Sequence, residues 1–296
     1  MPLLMGCGGG YRLLFRFSAC RCIALVLLMP LLSGAACSRE VVSSVDRLKR
    51  LATALKEAEA STQPSSSLVP IAGQGLLEVP EGTRFVPAEQ TRAFLESLGS
   101  SPDFSVMGMI ISQNFYTDPD WMVVINWKEI GFVDEDRLKN LSIRQITRSI
   151  EKVVATQNKI RQKTGLPALH LKNLLLSPRY DTVTHSAEYA TDWTIEGLDR
   201  EGVLFSHDFI GRSGILSFNF IAMARPLEAI YPITDPITQR FSYLAGHNYS
   251  DFDPAHDRRA SYAHDIAFPS WQKTGYSLMT AAALYWLKRR RDKKSS

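Results

Sequence analysis

From Ser38 to Ser296 the sequence has no cysteine; all four of its cysteines (Cys7, Cys20, Cys22 and Cys37) fall in the first 37 residues. The body of the chain therefore offers no disulfide framework, no thiol nucleophile and no cysteine-built zinc site. It also lacks G-x-S-x-G, H-E-x-x-H and a P-loop, and no cofactor is implied. The glycines from Gly6 to Gly10 precede the leader and cradle no phosphate. Long apolar runs are scarce as well. Ile23–Leu32 has ten uncharged residues and Tyr276–Leu287 twelve, against the about 20 that a spanning helix needs. Acid is missing from the leader, which holds Arg12, Arg16 and Arg21, and the tail Lys288–Lys294 has six bases and one acid, Asp292. Subtracting +3 and +5 from the total of +4 leaves the Ser38–Leu287 portion near −4. An acidic body is a poor nucleic-acid binder, so no nucleic-acid partner is expected.

What is present at the N-terminus is a leader. A basic patch, a short apolar core and the small-residue exit Ser33-Gly34-Ala35-Ala36-Cys37 are the three parts of a secretion signal. Cleavage before Cys37 would make residues 1–36 a signal peptide. Acylation of Cys37 is the other reading, although Gly34 stands where lipoprotein signals usually carry leucine.

The tail has matching logic. Twelve helical residues rise about 18 Å, short of a hydrocarbon core of about 30 Å. Extension back to Phe268 supplies length but includes Pro269, Gln272 and Lys273, with Trp271, Tyr276, Tyr285 and Trp286 as belt-type residues. The run is read as a single-pass anchor over 266–287, with residues 288–296 as a basic cytoplasmic tail. An interfacial helix is the alternative.

Between the ends, Val41, Val45, Leu48, Ala52 and Leu55 step by four, three, four and three, which predicts an amphipathic helix over 37–60, docked lightly on the body. Residues 61–75, with Ser61-Thr62-Gln63-Pro64-Ser65-Ser66-Ser67, read as a linker. The folded domain is expected over 76–265. Its predicted strands are Leu76–Val79, Val106–Ser112, Trp121–Trp127, Leu169–Leu176, Val183–Ile195, Val203–Phe209 and Ile215–Ala222. Ser177–Asp181 and Gly211–Gly214 read as turns, and Arg240–Leu244 as an edge strand. Helices are predicted over Ala88–Leu98, at Asp235-Pro236, and from the Ser142/Gln145 capping box to Gly165-Leu166-Pro167. In the last of these, Ile143, Ile146, Ile150, Val153, Val154 and Ile160 form one stripe, with Gln157 and Lys159 outside it. The expected fold is α+β: an antiparallel meander covered by one long helix, flanked by an N-terminal signal segment and a C-terminal apolar helix.

Several pieces then recur in a fixed order: Pro80-Glu81-Gly82 with Phe85, Trp121–Trp127, Gly131-Phe132-Val133, Gly165-Leu166-Pro167, Pro178-Arg179-Tyr180-Asp181 with Thr184-His185, and Tyr249-Ser250-Asp251-Phe252-Asp253-Pro254. Over roughly Leu76 to Tyr262 this resembles domain-of-unknown-function family 2167, bacterial membrane-anchored proteins. The resemblance implies an exported domain with a C-terminal anchor. It implies no activity and transfers no catalytic residue. The helix and linker over Val41–Pro70 look like an addition to it.

The one cluster suggestive of chemistry is His247–Asp265, with Asp251, Asp253, His256, Asp257, His264 and Asp265. Asp251-x-Asp253-x-x-x-Asp257 would begin a calcium loop, but the mid-loop glycine and terminal glutamate of an EF-hand are missing. Imidazole with carboxylate would suit a transition metal. A solvated turn, with aspartates capping backbone N–H groups and Arg258-Arg259 neutralising them, is the favoured reading. His185 and His207 lie on one hairpin. With its turn centred on Asp199, His207 faces Thr191 and His185 lies well beyond it, so a shared metal site is not expected. The whole reads as a non-enzymatic binding or interaction module in the cell envelope, held at the membrane with an envelope protein as partner. A metal-dependent hydrolase built on Asp251–Asp265 and a structural assembly subunit are the alternatives.

Overall fold

In the computed structural model the described residues are 46, 49–98, 100, 102–118, 120–136, 143–163, 166–197, 201–223 and 225–261. The leader, Cys37, the expected anchor and the basic tail lie outside them, as do Gly99, Ser142, Gly165, His264 and Asp265. The chain divides into two units, 1–49 and 50–296. Of the first, Asp46 and Lys49 are described, both helical; the second holds every described strand.

The fold is α+β with two antiparallel sheets. Strands β3 (Thr83–Pro87), β4 (Val106–Ser112), β5 (Trp121–Lys128), β6 (Leu169–Asp181), β7 (Ser186–Ile195), β8 (Glu201–Ile210) and β9 (Ile215–Met223) form a seven-stranded sheet in the order β3-β4-β5-β9-β8-β7-β6. Strands β1 (Leu68–Ile71), β2 (Gly75–Glu78) and β10 (Phe241–Tyr243) form a three-stranded sheet in the order β1-β2-β10. The meander runs from β6 to β9, after which β9 pairs with β5.

Residues Met122–Trp127 of β5 and Ile215–Ala222 of β9 are buried without alternation. A strand buried on both faces needs cover on both faces. One face carries Val124, Leu204, Ile221 and Trp193, covered by α1 (residues 50–60), α2 (Ala88–Ser97) and α3 (Ile143–Lys163) through Ala58, Phe94, Leu95, Ile150 and Val154. The other carries Val123, Phe205, Phe218 and Phe220, covered by Val69, Ile71 and Leu77 of the small sheet and by Ile237 of α4 (Tyr231–Thr238). The expectation of a single covering helix is thus corrected: several helices share one face, and a second sheet lies on the other.

The first strand of that second sheet, β1, lies in the expected linker, while β2 and β10 match the strands expected at Leu76–Val79 and Arg240–Leu244. Gln63 bridges Phe85, donating to its carbonyl at 2.8 Å and accepting its N–H at 3.0 Å, and Ser66 N donates to Val79 O at 2.8 Å. Polar composition alone had suggested a linker, yet these polar residues close the free side of β3. Within α1, Leu51 and Leu55 pack on the core while Ala52 is exposed. The inward side is rotated by one residue from the expected stripe because the small Ala54 and Ala58 permit close approach.

Three further expectations shift. Gln157 is buried rather than outside the stripe of α3. Arg161 is 1 % exposed and donates from Nε to Pro167 O at 2.6 Å; burial lowers its guanidinium to about 10. Strand β6 runs through Ser177–Asp181, where a turn was expected; the turn follows at Thr182–His185. Proline is tolerated there because β6 is an edge strand. Helix α4 starts at Tyr231, with proline at its first turn and Pro236 inside it, one turn before the expected Asp235-Pro236 start. Among the described residues no helix is long and apolar enough to cross a membrane.

Candidate functional site

The acidic segment picked out by sequence is a turn held by internal partners. Arg212 grips Asp257 in bidentate fashion, Nε to Oδ2 at 2.7 Å and Nη2 to Oδ1 at 3.0 Å. Asp257 Oδ2 also accepts Asp253 N–H at 2.7 Å. Asp253 Oδ2 lies 2.6 Å from His256 Nδ1, and Asp251 Oδ2 accepts the backbone and side-chain N–H of Asn248 at 2.9 and 3.0 Å. Arg212 holds the Asp257 carboxyl below the usual carboxylate range, His256 does so for Asp253, and Asn248 for Asp251. The neutralising arginine is Arg212, from the β8–β9 turn, and not the adjacent Arg258-Arg259. Among the described residues no group of three or more His, Cys, Asp or Glu side chains is placed to hold a metal ion.

Pieces far apart in sequence meet at this end of the sheet. His185, at φ 49°, stacks on Tyr249 with centroids 4.1 Å apart, and its Nδ1 is 3.2 Å from the Tyr180 hydroxyl. Phe132 stacks on Phe252 at 3.7 Å, and the Arg259 guanidinium sits 4.7 Å from the Phe252 ring centre. The chain at 258–260 runs so close to Gly131 that a Cβ there would stand 2.6 Å from Arg258 O; Gly131 also has φ +93°. The end is a packing of rings and ion pairs with an exposed rim.

A second cluster lies on the face covered by the small sheet. Register places Arg179, Glu188, His207 and Phe218 as successive neighbours across β6, β7, β8 and β9. Glu188 Oε1 is 3.0 Å from His207 Nδ1, and Glu188 Oε2 accepts from Arg179 Nη2 at 2.7 Å and Nε at 3.1 Å. Arg179 Nη2 also donates to the Tyr231 hydroxyl of α4 at 3.3 Å. The His207 hydrogen bond, aided by Arg179, holds Glu188 below its ordinary value. Asp235, on α4, is pushed up by burial and by the nearby Glu188 charge.

His207 Nε2 is buried and makes no hydrogen bond. It faces a tight interstice, too narrow for a water molecule, lined by Phe205, Phe218, Phe220, Thr234 and Thr238. Both threonine hydroxyls donate to helix carbonyls, Thr234 to Ile230 O and Thr238 to Thr234 O. With Nδ1 directed at Glu188, His207 turns Nε2 toward aromatic walls.

Sequence reasoning missed this row through its hairpin register. Paired residues sum to 395, as in Glu188 with His207, and not to 398. His207 therefore faces Glu188 instead of Thr191. His185 stays apart from it, at the end of the sheet, where its carbonyl accepts Ile210 N–H at 2.9 Å.

A family model described as "Protein of unknown function (DUF2167)" matches residues 63–268. The chain belongs to this family. The DUF2167 match begins at Gln63, the residue that closes the side of β3, so it takes in the small sheet as well as the large one. No curated protein matches the chain. Among solved structures, a cyanobacterial PsbP (CyanoP) from Synechocystis sp. PCC 6803 is similar at 15% identity, covering 62% of this chain and 94% of that one, with a TM-score of 0.37. The Ran-binding protein Mog1p of Saccharomyces cerevisiae is similar at 11% identity, covering 64% of this chain and 100% of that one, with a TM-score of 0.32.

The lowered carboxyls of the DUF2167 domain give it an acid limit. A group whose folded value lies below its unfolded one stabilises the fold above the ordinary carboxylate range, and that contribution is lost as pH falls through the folded value. The denaturation midpoint is expected to drop on acidification as Glu188, Asp251, Asp253 and Asp257 take up protons. Arg212→Ala should flatten part of the drop. A midpoint constant from neutral to strongly acid pH would contradict this.

Proposed function

We propose that this DUF2167 chain is a cell-envelope protein whose α+β domain lies outside the inner membrane and binds a partner or ligand without catalysing a reaction. The sequence features that support the location are the Arg12–Cys37 leader, the cysteine-free body and the basic Lys288–Lys294 tail after the apolar Tyr276–Leu287 run. The anchor is either that run or a lipid on Cys37.

The observation that carries the binding reading is the buried, unpartnered Nε2 of His207 in an aromatic crevice, with Arg179, Glu188 and Tyr231 alongside. A hydrolase reading gains little from the acidic turn, because Asp251, Asp253 and Asp257 are committed to Asn248, His256 and Arg212. The partner is expected to be another envelope protein, or a ligand it presents, that forms a hydrogen bond with His207.

The test is affinity purification of the tagged full chain from detergent-solubilised envelope, in parallel with His207→Leu, which leaves Glu188 paired to Arg179. The expected result is a specific partner recovered with the parent chain and at least tenfold less with the variant. Equal recovery, no partner from well-expressed protein, or a chain found in the cytosolic fraction would each count against the reading.

A further inference from the structure

On the helix-covered face of the large sheet, β5, β9 and β8 bring five polar side chains side by side: Asn126, Ser217, Asn219, Ser206 and Asp208. None is more than 6 % exposed. Asn126 stands opposite Ser217, Ser206 opposite Asn219, and Asp208 opposite Ser217. Buried polar groups persist when each donor finds an acceptor, so the protons of such a cluster can be counted.

Asn219 Nδ2 lies 3.2 Å from both Val124 O and Asn126 Oδ1 and donates to each. That fixes the amide and makes Asn219 Oδ1 an acceptor. Asn126 Nδ2 then donates to Ser105 Oγ at 3.1 Å, and the Ser105 hydroxyl donates to Asp103. Ser206 Oγ is 2.9 Å from Asn219 Oδ1 and 3.1 Å from Asp208 Oδ1. The one hydroxyl proton serves the amide oxygen, for which Ser206 is the donor found among the described residues. The contact between Ser206 and Asp208 then lacks a proton unless the carboxyl supplies it. An ionised Asp208 would set two acceptors against each other in the interior.

We infer that Asp208 is a neutral carboxylic acid in the folded protein at neutral pH, and that its proton starts a one-way row of hydrogen bonds through Ser206, Asn219, Asn126 and Ser105 to Asp103 at the surface. Burial acts in the same sense, raising Asp208, while the hydroxyls of Ser217 and Ser206 and the charges of His207 and Lys128 pull the other way. Tyr243, of β10, is the further titratable group that senses Asp208. The row makes the domain alkali-sensitive. Ionising Asp208 turns the Ser206 proton back from Asn219 and leaves Asn219 Oδ1 without that donor. Because the folded value lies above the unfolded one, the stabilisation is full below the ordinary carboxylate range and lost as pH rises through the folded value. This is opposite in sign to Glu188 and Asp257.

The test uses purified full chain and Asp208→Asn, whose amide N–H₂ replaces the acid proton as donor to Ser206. Infrared difference spectra at neutral pH should show a protonated-carboxyl C=O band in the parent chain that is absent from the variant. The folding equilibrium constant of Asp208→Asn should stay within threefold of the parent below the ordinary carboxylate range and exceed it by a growing factor as pH rises through neutrality. Ser206→Ala should shift the band by removing its acceptor. Absence of a protonated-carboxyl band, a band unmoved in Ser206→Ala, or an Asp208→Asn chain that unfolds or loses more than tenfold in folding constant would overturn the inference.

Discussion

Trp193→Ala is expected to destabilise the domain by about 3–5 kcal/mol, the range for deleting a large buried aromatic. Trp193 is 0 % exposed and sits where β7, β6 and α3 meet, in one cluster with Tyr189, Leu169, Ile195, Ile150 and Val154. Across the sheet it faces Leu171 on one side and Gly202 on the other. Its indole N–H donates to Thr191 Oγ1 at 2.8 Å. Truncation therefore opens a cavity and also leaves a buried hydroxyl without its donor. The check is denaturant unfolding followed by far-UV circular dichroism. A shift in midpoint at constant slope reports stability, and a loss under about 1 kcal/mol would show that α3 collapses into the space.

Gly214→Ala is expected to be comparably severe, at about 3 kcal/mol or more, for a reason of backbone and not of volume. A Cβ at Gly214 would stand 1.9 Å from Lys128 O and 2.9 Å from the far edge of the Trp127 ring. Lys128 is itself paired to Ile215 in the β5–β9 ladder, so its carbonyl cannot retreat without unzipping the end of that pair. Gly197→Ala provides the contrast. Gly197 has φ +76° but nothing within 4 Å of an added Cβ, so only conformational strain of about 1–2 kcal/mol is expected there. Thermal or denaturant midpoints of the two variants, measured side by side, should differ clearly. Equal midpoints would mean that the β8–β9 turn can shift to admit a methyl group.

Much of the large sheet was legible because its strands carry long apolar or alternating runs: Trp121–Trp127, Val203–Phe209 and Ile215–Ala222 are read almost residue for residue. The unbroken apolar run at Met122–Ile125 also held a signal that both faces are covered, which one helix does not satisfy. Of the small sheet, Leu76–Val79 and Arg240–Leu244 read as strands, but Leu68–Ile71 was hidden because four residues are too few for a period to appear and serine and proline lie around them. Pro178 disguised the last third of β6 as a turn. The Arg179–Glu188–His207 row depended on one number, the centre of the β7–β8 hairpin. Gly197 was the clue to it, since a positive-φ glycine marks where the chain reverses. The grip of Arg212 on Asp257 spans 45 residues, and no local pattern announces a contact of that range.

The pairing of β5 with β9 has a kinetic corollary. Trp121 meets Ala222 and Lys128 meets Ile215, so the hairpins β3–β4–β5 and β6–β9 are joined at their inner strands by residues remote in the chain. Closing so large a loop before any reward is collected is what makes non-local sheets slow to form. As the polypeptide emerges from its N-terminus, β5 waits with an apolar flank uncovered until the last strand of the meander arrives. A holding chaperone would find its target in that interval, on Met122 to Trp127.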